Sequence, residues 1–84
     1  MEEIEILRKD IDKIDDKIVD LLNMRAELVV EIGKIKKQMK IEVLQPQREK
    51  EILKRVKEKS ILLKSTSIEA IWKEILNACR LIQS

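Results

Sequence analysis

An arginine stands in the middle of an otherwise unbroken row of aliphatic residues. Ile4, Leu7, Ile11, Ile14, Ile18, Leu21, Leu28, Ile32, Ile35 and Met39 recur at alternating steps of three and four, and Arg25 fills the slot between Leu21 and Leu28. A charge in an apolar seam must be paired or bound, because an unpaired buried ion is costly. One reading is an ion pair with a glutamate on a facing helix, which would fix the register of packing. The other is an anion site, and Lys36 favours it. Eleven residues on, three turns plus about 20°, Lys36 leaves the helix in nearly the direction of Arg25, from a point roughly 16 Å along the axis. Two long cationic side chains so placed converge on a small anion between them. Arg48, at the start of a second helix, and Gln83, eleven residues after Trp72 and so on the buried stripe of a third, supply further donors.

The rest of the composition removes most other chemistries. The chain has 84 residues with no histidine, one cysteine (Cys79), one glycine (Gly33), one proline (Pro46) and one aromatic residue (Trp72). Ser-His-Asp and Cys-His nucleophiles, imidazole acid-base catalysis and Cys/His zinc sites all lack their residues, and no glycine-rich phosphate loop is present. No metal and no cofactor are expected. Eighteen Lys and Arg against sixteen Asp and Glu leave a net charge of +2, too balanced for a nucleic-acid-binding arm and too dispersed for a membrane-surface helix. Stretches without a charge run to about five residues, against the ~18 of a spanning helix, and the acidic start MEEIEIL lacks a signal-peptide pattern. A cytoplasmic protein is expected.

Scarce Gly and Pro, with abundant Ile, Leu, Glu and Lys, predict an all-α chain forming a single domain over residues 1–84. The seam predicts one long helix over about 3–39, roughly 54 Å from end to end. Gly33 costs such a helix about 1 kcal/mol relative to Ala, which suggests either close approach of a neighbour or ligand there or, equally, a glycine that is merely tolerated. IEVLQPQ breaks the pattern, and Pro46 at a first helical turn opens a short helix over about 46–59 with Ile52, Leu53 and Val56 on one face. A medium helix over about 67–83, capped by Thr66 or Ser67, carries Ile68, Ile71, Trp72, Ile75, Leu76, Cys79 and Ile82 on one stripe. Eleven seam positions exceed what the remaining residues cover. A chain this small with no possible internal disulfide points to oligomerisation, with seam partners from a second copy.

The run LRKDIDKIDDKIVDLLNMRAELVVEIGKIKKQ, then QPQREKEIL, then NACRLIQ resembles the all-helical class of chorismate mutases over essentially the whole chain. The resemblance implies an intertwined homodimeric bundle of three-helix chains that rearranges chorismate to prephenate at two equivalent sites. The family's substrate-binding positions fall on Arg8, Arg25, Lys36, Arg48, Glu49 and Gln83. Two further positions of the site depart from the usual residues: Gln45 stands where many relatives have an Asp, and Cys79 where they often have a Ser. By resemblance Lys36 and Gln83 donate to the ether oxygen, Arg25 and Arg8 hold carboxylates, Arg48 supports one of them or orients Glu49, and Glu49 holds the ring hydroxyl. Cys79 has no histidine partner and no cation evidently placed to activate it.

Arg8 bears on assembly. It lies seventeen residues from Arg25, about 25 Å along one straight helix and about 100° around it, beyond the joint reach of two arginines. If both serve one site, Arg8 comes from the other subunit. The implied chemistry fits the composition, because a unimolecular [3,3] rearrangement transfers no proton and needs shape and charge alone. Isochorismate pyruvate-lyase activity, a non-catalytic regulatory module and a structural helical adaptor are the alternatives.

Overall fold

The computed structural model describes residues 1–83, which form three helices: α1 (Glu2–Met39), α2 (Pro46–Lys59) and α3 (Ser65–Gln83). Long, short and medium helices follow in the expected order, with no strand among the described residues. In α1, Glu2, Glu3 and Glu5 occupy the first turn and Lys36 and Lys37 the last, the charge order the helix dipole favours. Pro46 sits in the first turn of α2, where its missing N–H is no loss. The third helix starts earlier than expected. Lys64, not Thr66 or Ser67, holds the cap position, and its carbonyl accepts from Ser67 N–H and Ile68 N–H at 3.0 Å each. Backbone groups alone close this turn, so no hydroxyl cap is needed to begin the helix.

α3 packs against both α1 and α2, which make no close backbone approach to each other. Leu76 of α3 therefore joins Val29 of α1 to Ile52 of α2, and these three side chains are the buried apolar core. Lys57 of α2 and Glu69 of α3, 3.3 Å apart, add a half-buried tie near the α2–α3 loop. The shape is extended, 56 × 23 × 15 Å, because nothing in the chain is long enough to lie beside all of α1. All ten apolar seam residues of α1 stay between 44% and 67% exposed. Three buried apolar side chains are far fewer than an independently stable domain of this length requires. No helix among the described residues is long and apolar enough to cross a membrane.

The end of α1 is fixed by backbone geometry. Lys40 adopts φ 58° and ψ 38°, the left-handed conformation. Lys40 N–H reaches Lys37 O at 3.4 Å and Ile41 N–H reaches Lys36 O at 2.8 Å, the paired bonds of a Schellman motif. This turn sends the chain back past the end of α1 and lays Ile41 and Val43 beside Lys36. The left-handed conformation costs a residue with a Cβ about 1–2 kcal/mol, whereas glycine adopts it freely but loses more entropy on folding. Lys40→Gly is therefore expected to stabilise the protein by about 0.5–1 kcal/mol, raising Tm by roughly 2–6 °C at fixed concentration. Thermal unfolding followed by circular dichroism checks this, and a lowered Tm would contradict it.

Candidate active site

A cavity of about 530 Å3 opens where the three helices and the α1–α2 turn meet. Its apolar wall includes Val29, Ile32 and Ile35 from α1, Ile41 and Val43 from the turn, Ile52 from α2 and Leu76 from α3. Its polar groups are Arg25, Lys36, Gln45, Arg48, Glu49, Cys79 and Gln83. Seven of the eight residues singled out in the sequence thus share one cavity. Arg8 does not. It lies on the exposed N-terminal half of α1, with its guanidinium 2.7 Å from Glu5 of its own helix.

The partners of these groups differ in informative ways. Arg25 does not meet a glutamate: its Nη1 donates to Cys79 Sγ at 3.0 Å. This corrects the expectation that no cation stands beside Cys79, since the crossing of α3 over α1 sets the thiol opposite the guanidinium. A thiol is a weak acceptor and guanidinium has five N–H groups, so Arg25 keeps most of its donor capacity for an anion. Lys36 Nζ donates to Val43 O at 2.8 Å and to Gln83 Oε1 at 3.0 Å. An ammonium has three N–H groups, so one remains, and the bond to Oε1 leaves the Gln83 Nε2 donors without a protein acceptor among the described residues. Two sets of free donors therefore lie side by side at the end of the cavity.

Gly33 makes this pairing possible. It is buried, and a Cβ built on it would stand 3.2 Å from Gln83 Cα and Cγ and 3.3 Å from Cβ. Gly33 thus accommodates the close approach that its presence inside a long helix suggested. Gln45, the residue before Pro46, spends its Nε2 on Glu42 O at 3.0 Å, which leaves its amide oxygen as a neutral acceptor.

On α2, Glu49 lies in the first turn, where the helix dipole favours a carboxylate. Its partner is not Arg48, which is exposed and sits 3.6 Å from Glu51. Glu49 instead accepts from Nη1 of Arg80 on α3, a residue the sequence pattern does not single out. Its position carries some signal, since Arg80 is a cation set between the inward-facing Cys79 and Gln83. The polar wall thus holds three cations and one carboxylate, and the carboxylate is already paired, an arrangement suited to a small dianion. Among the described residues no cluster of acidic, cysteine or histidine side chains is arranged to hold a metal ion.

Three helices meet at a cationic, partly apolar cavity, and this fold with this lining defines the class of protein. Family comparison specifies the class: residues 7–84 match the chorismate mutase type II family, and the chain belongs to it. It is 38% identical over 84 residues to the bifunctional chorismate mutase/prephenate dehydratase of Aquifex aeolicus (strain VF5), an alignment covering 94% of this chain and 23% of that protein. This chain thus spans about a quarter of that relative's length. It is similar in structure to chorismate mutase (form II) from Thermus thermophilus, with TM-score 0.94, 29% identity and coverage of 96% and 93% of the two chains. Chorismate mutase from Helicobacter pylori, solved in complex with prephenate, superposes with TM-score 0.90 at 31% identity, over 99% of this chain and 91% of that one.

Proposed function

We propose that this chain is a chorismate mutase that rearranges chorismate to prephenate in the cytoplasm, as a homodimer with two shared sites. The observation that carries the reading is the Lys36–Gln83 pair, two adjacent donors with hydrogen-bonding capacity left over, beside Arg25 in one cavity. Membership of the family and the likeness to a prephenate-bound relative support it.

Chorismate is a dianion, and its rearrangement breaks a C–O bond while forming a C–C bond, with no proton transferred. The enzyme's task is to hold the enolpyruvyl group over the ring and to stabilise the charge that gathers on the ether oxygen. Arg25 holds one carboxylate and Arg8 of the second copy the other, with Arg48 in support, so the reactive conformer is held before the bond breaks. The remaining Lys36 N–H and Gln83 Nε2 donate to the ether oxygen. That oxygen carries its negative charge mainly in the transition state, so these donors act by differential binding. Glu49 accepts the ring hydroxyl and Gln45 Oε1 offers a weaker second acceptor. Cys79 holds Arg25 through a bond that a substrate carboxylate readily outcompetes.

The dimer follows from the same residues. A second copy laid along the seam would cover the apolar residues that one chain leaves in water. It would also bring an Arg8 to a cavity that the chain's own Arg8 cannot reach.

The direct test is an ultraviolet assay of chorismate loss with identification of the product. Prephenate is the expected product; pyruvate with an aromatic acid, or no turnover, would overturn the reading. The same assay tests the contact at Gly33. Gly33→Ala gains about 1 kcal/mol of helix propensity, which offsets crowding, but pushes the Gln83 backbone by a few tenths of an ångström. It is expected to keep its helicity and lose on the order of tenfold in kcat, with KM changed less, because Gln83 acts on the transition state. A Gly33→Ala enzyme with wild-type kcat would show that Gln83 is not held at the reacting oxygen.

A further inference from the structure

The one carboxylate on the cavity wall is a potential competitor of the substrate. Glu49 shares that wall with Arg25, Lys36 and Arg48. An untethered glutamate, with three rotatable side-chain bonds, would be drawn to the same cations that a dianion needs. Here it is tethered. Its Oε2 accepts from Arg80, which lies outside the cavity lining, and the two side chains are only 24% and 32% exposed. Arg80 follows Cys79 by one residue and so leaves α3 about 100° away from it, towards α2, while Cys79 and Gln83 face the cavity. Its Nη2 is also 3.5 Å from Asn77 Oδ1, one turn back on the same helix. Ile52, Leu76 and the Lys57–Glu69 pair already join α2 to α3, so the Arg80 contact is not their only connection.

We propose that Arg80 is a positioning residue for the reaction, resting on the mutase reading above. By binding one oxygen of Glu49 it holds the carboxylate away from Arg25, Lys36 and Arg48, which stay free for the substrate's carboxylates. The second oxygen is left to accept the ring hydroxyl. Gln45 makes the role more pressing in this chain, because its acceptor is a neutral amide oxygen and Glu49 is the one charged acceptor on the wall. Arg80 therefore acts on substrate only through Glu49.

The test is steady-state kinetics with chorismate for wild type, Arg80→Met, Arg80→Lys, Glu49→Gln and the Arg80→Met/Glu49→Gln double variant, each checked for native helicity. Arg80→Met is expected to raise KM about tenfold or more, with a smaller change in kcat, as loss of a charge-assisted hydrogen bond implies. Arg80→Lys should restore most of the loss. The double variant should have a lower KM than Arg80→Met alone, because the amide of Gln no longer competes for the cations. A merely structural Arg80 would leave the double variant as poor as the single one or poorer. Should Arg80→Met lose helicity, Arg80→Gln, which keeps a donor but no charge, carries the same comparison. An unchanged KM in the folded single variant, or a double variant no better than the single, overturns the proposal while wild-type turnover leaves the mutase reading intact. Absence of wild-type turnover overturns both.

Discussion

Most of the structure depends on the mismatch between α1 and everything that could cover it. A 38-residue helix carries an apolar seam along its whole length, α2 makes no close backbone approach to it, and the 19-residue α3 meets it between Arg25 and Lys36, in its C-terminal half. The hydrophobic effect therefore leaves two unequal regions in one chain. Where α3 crosses α1, a small core of Val29, Ile52 and Leu76 forms and the cavity opens beside it. Towards the N-terminus the seam is bare and Arg8 stands with it. In the proposed dimer, covering the seam and completing the site are one event, and stability and activity are linked through assembly.

Within the cavity the charges are held by an asymmetric rule. The cations are given weak or neutral partners, a thiol for Arg25 and two amide-type oxygens for Lys36, while Arg48 has only an exposed, loosely placed Glu51. The carboxylate Glu49 is given a strong partner in Arg80. Preorganised donors with spare capacity cost little to redirect onto an arriving anion, and they need no reorganisation as charge develops. The apolar walls contribute by lowering the local dielectric, which strengthens each of these interactions once water is displaced. A pericyclic rearrangement can be served by such a site without acid, base, metal or nucleophile.

The parts of this arrangement that local rules govern are legible in the sequence. Alternating steps of three and four predict the length of α1 and its exposed seam. The interruption of that seam by Arg25, with Lys36 three turns on, marks the part of the helix that lines the cavity, and Gly33 sits at the close approach of α3. Pro46 places the start of α2. What stays hidden is the register of α2 against α3, because helical periodicity says which face is apolar but not which residues meet across it. Hence nothing in the sequence pairs Arg80 with Glu49, of the two roles expected for Arg48 the orienting of Glu49 is taken by Arg80 instead, and Cys79 reads as having no cation evidently placed beside it. The start of α3 departs from expectation for a smaller reason: hydroxyl residues signal caps, but here the Lys64 carbonyl and two backbone N–H groups close the turn.

Division of each site between two chains is the central claim, and complementation tests it most directly. Arg8→Ala and Arg25→Ala variants, each nearly inactive alone, are unfolded together in equal amounts, refolded, and assayed for chorismate turnover with heterodimer content measured in parallel. Each heterodimer then holds one site with both arginines and one with neither, so random pairing predicts recovery of roughly a quarter of wild-type activity. A mixture that contains heterodimers and remains as inactive as its parents would contradict a site shared between subunits.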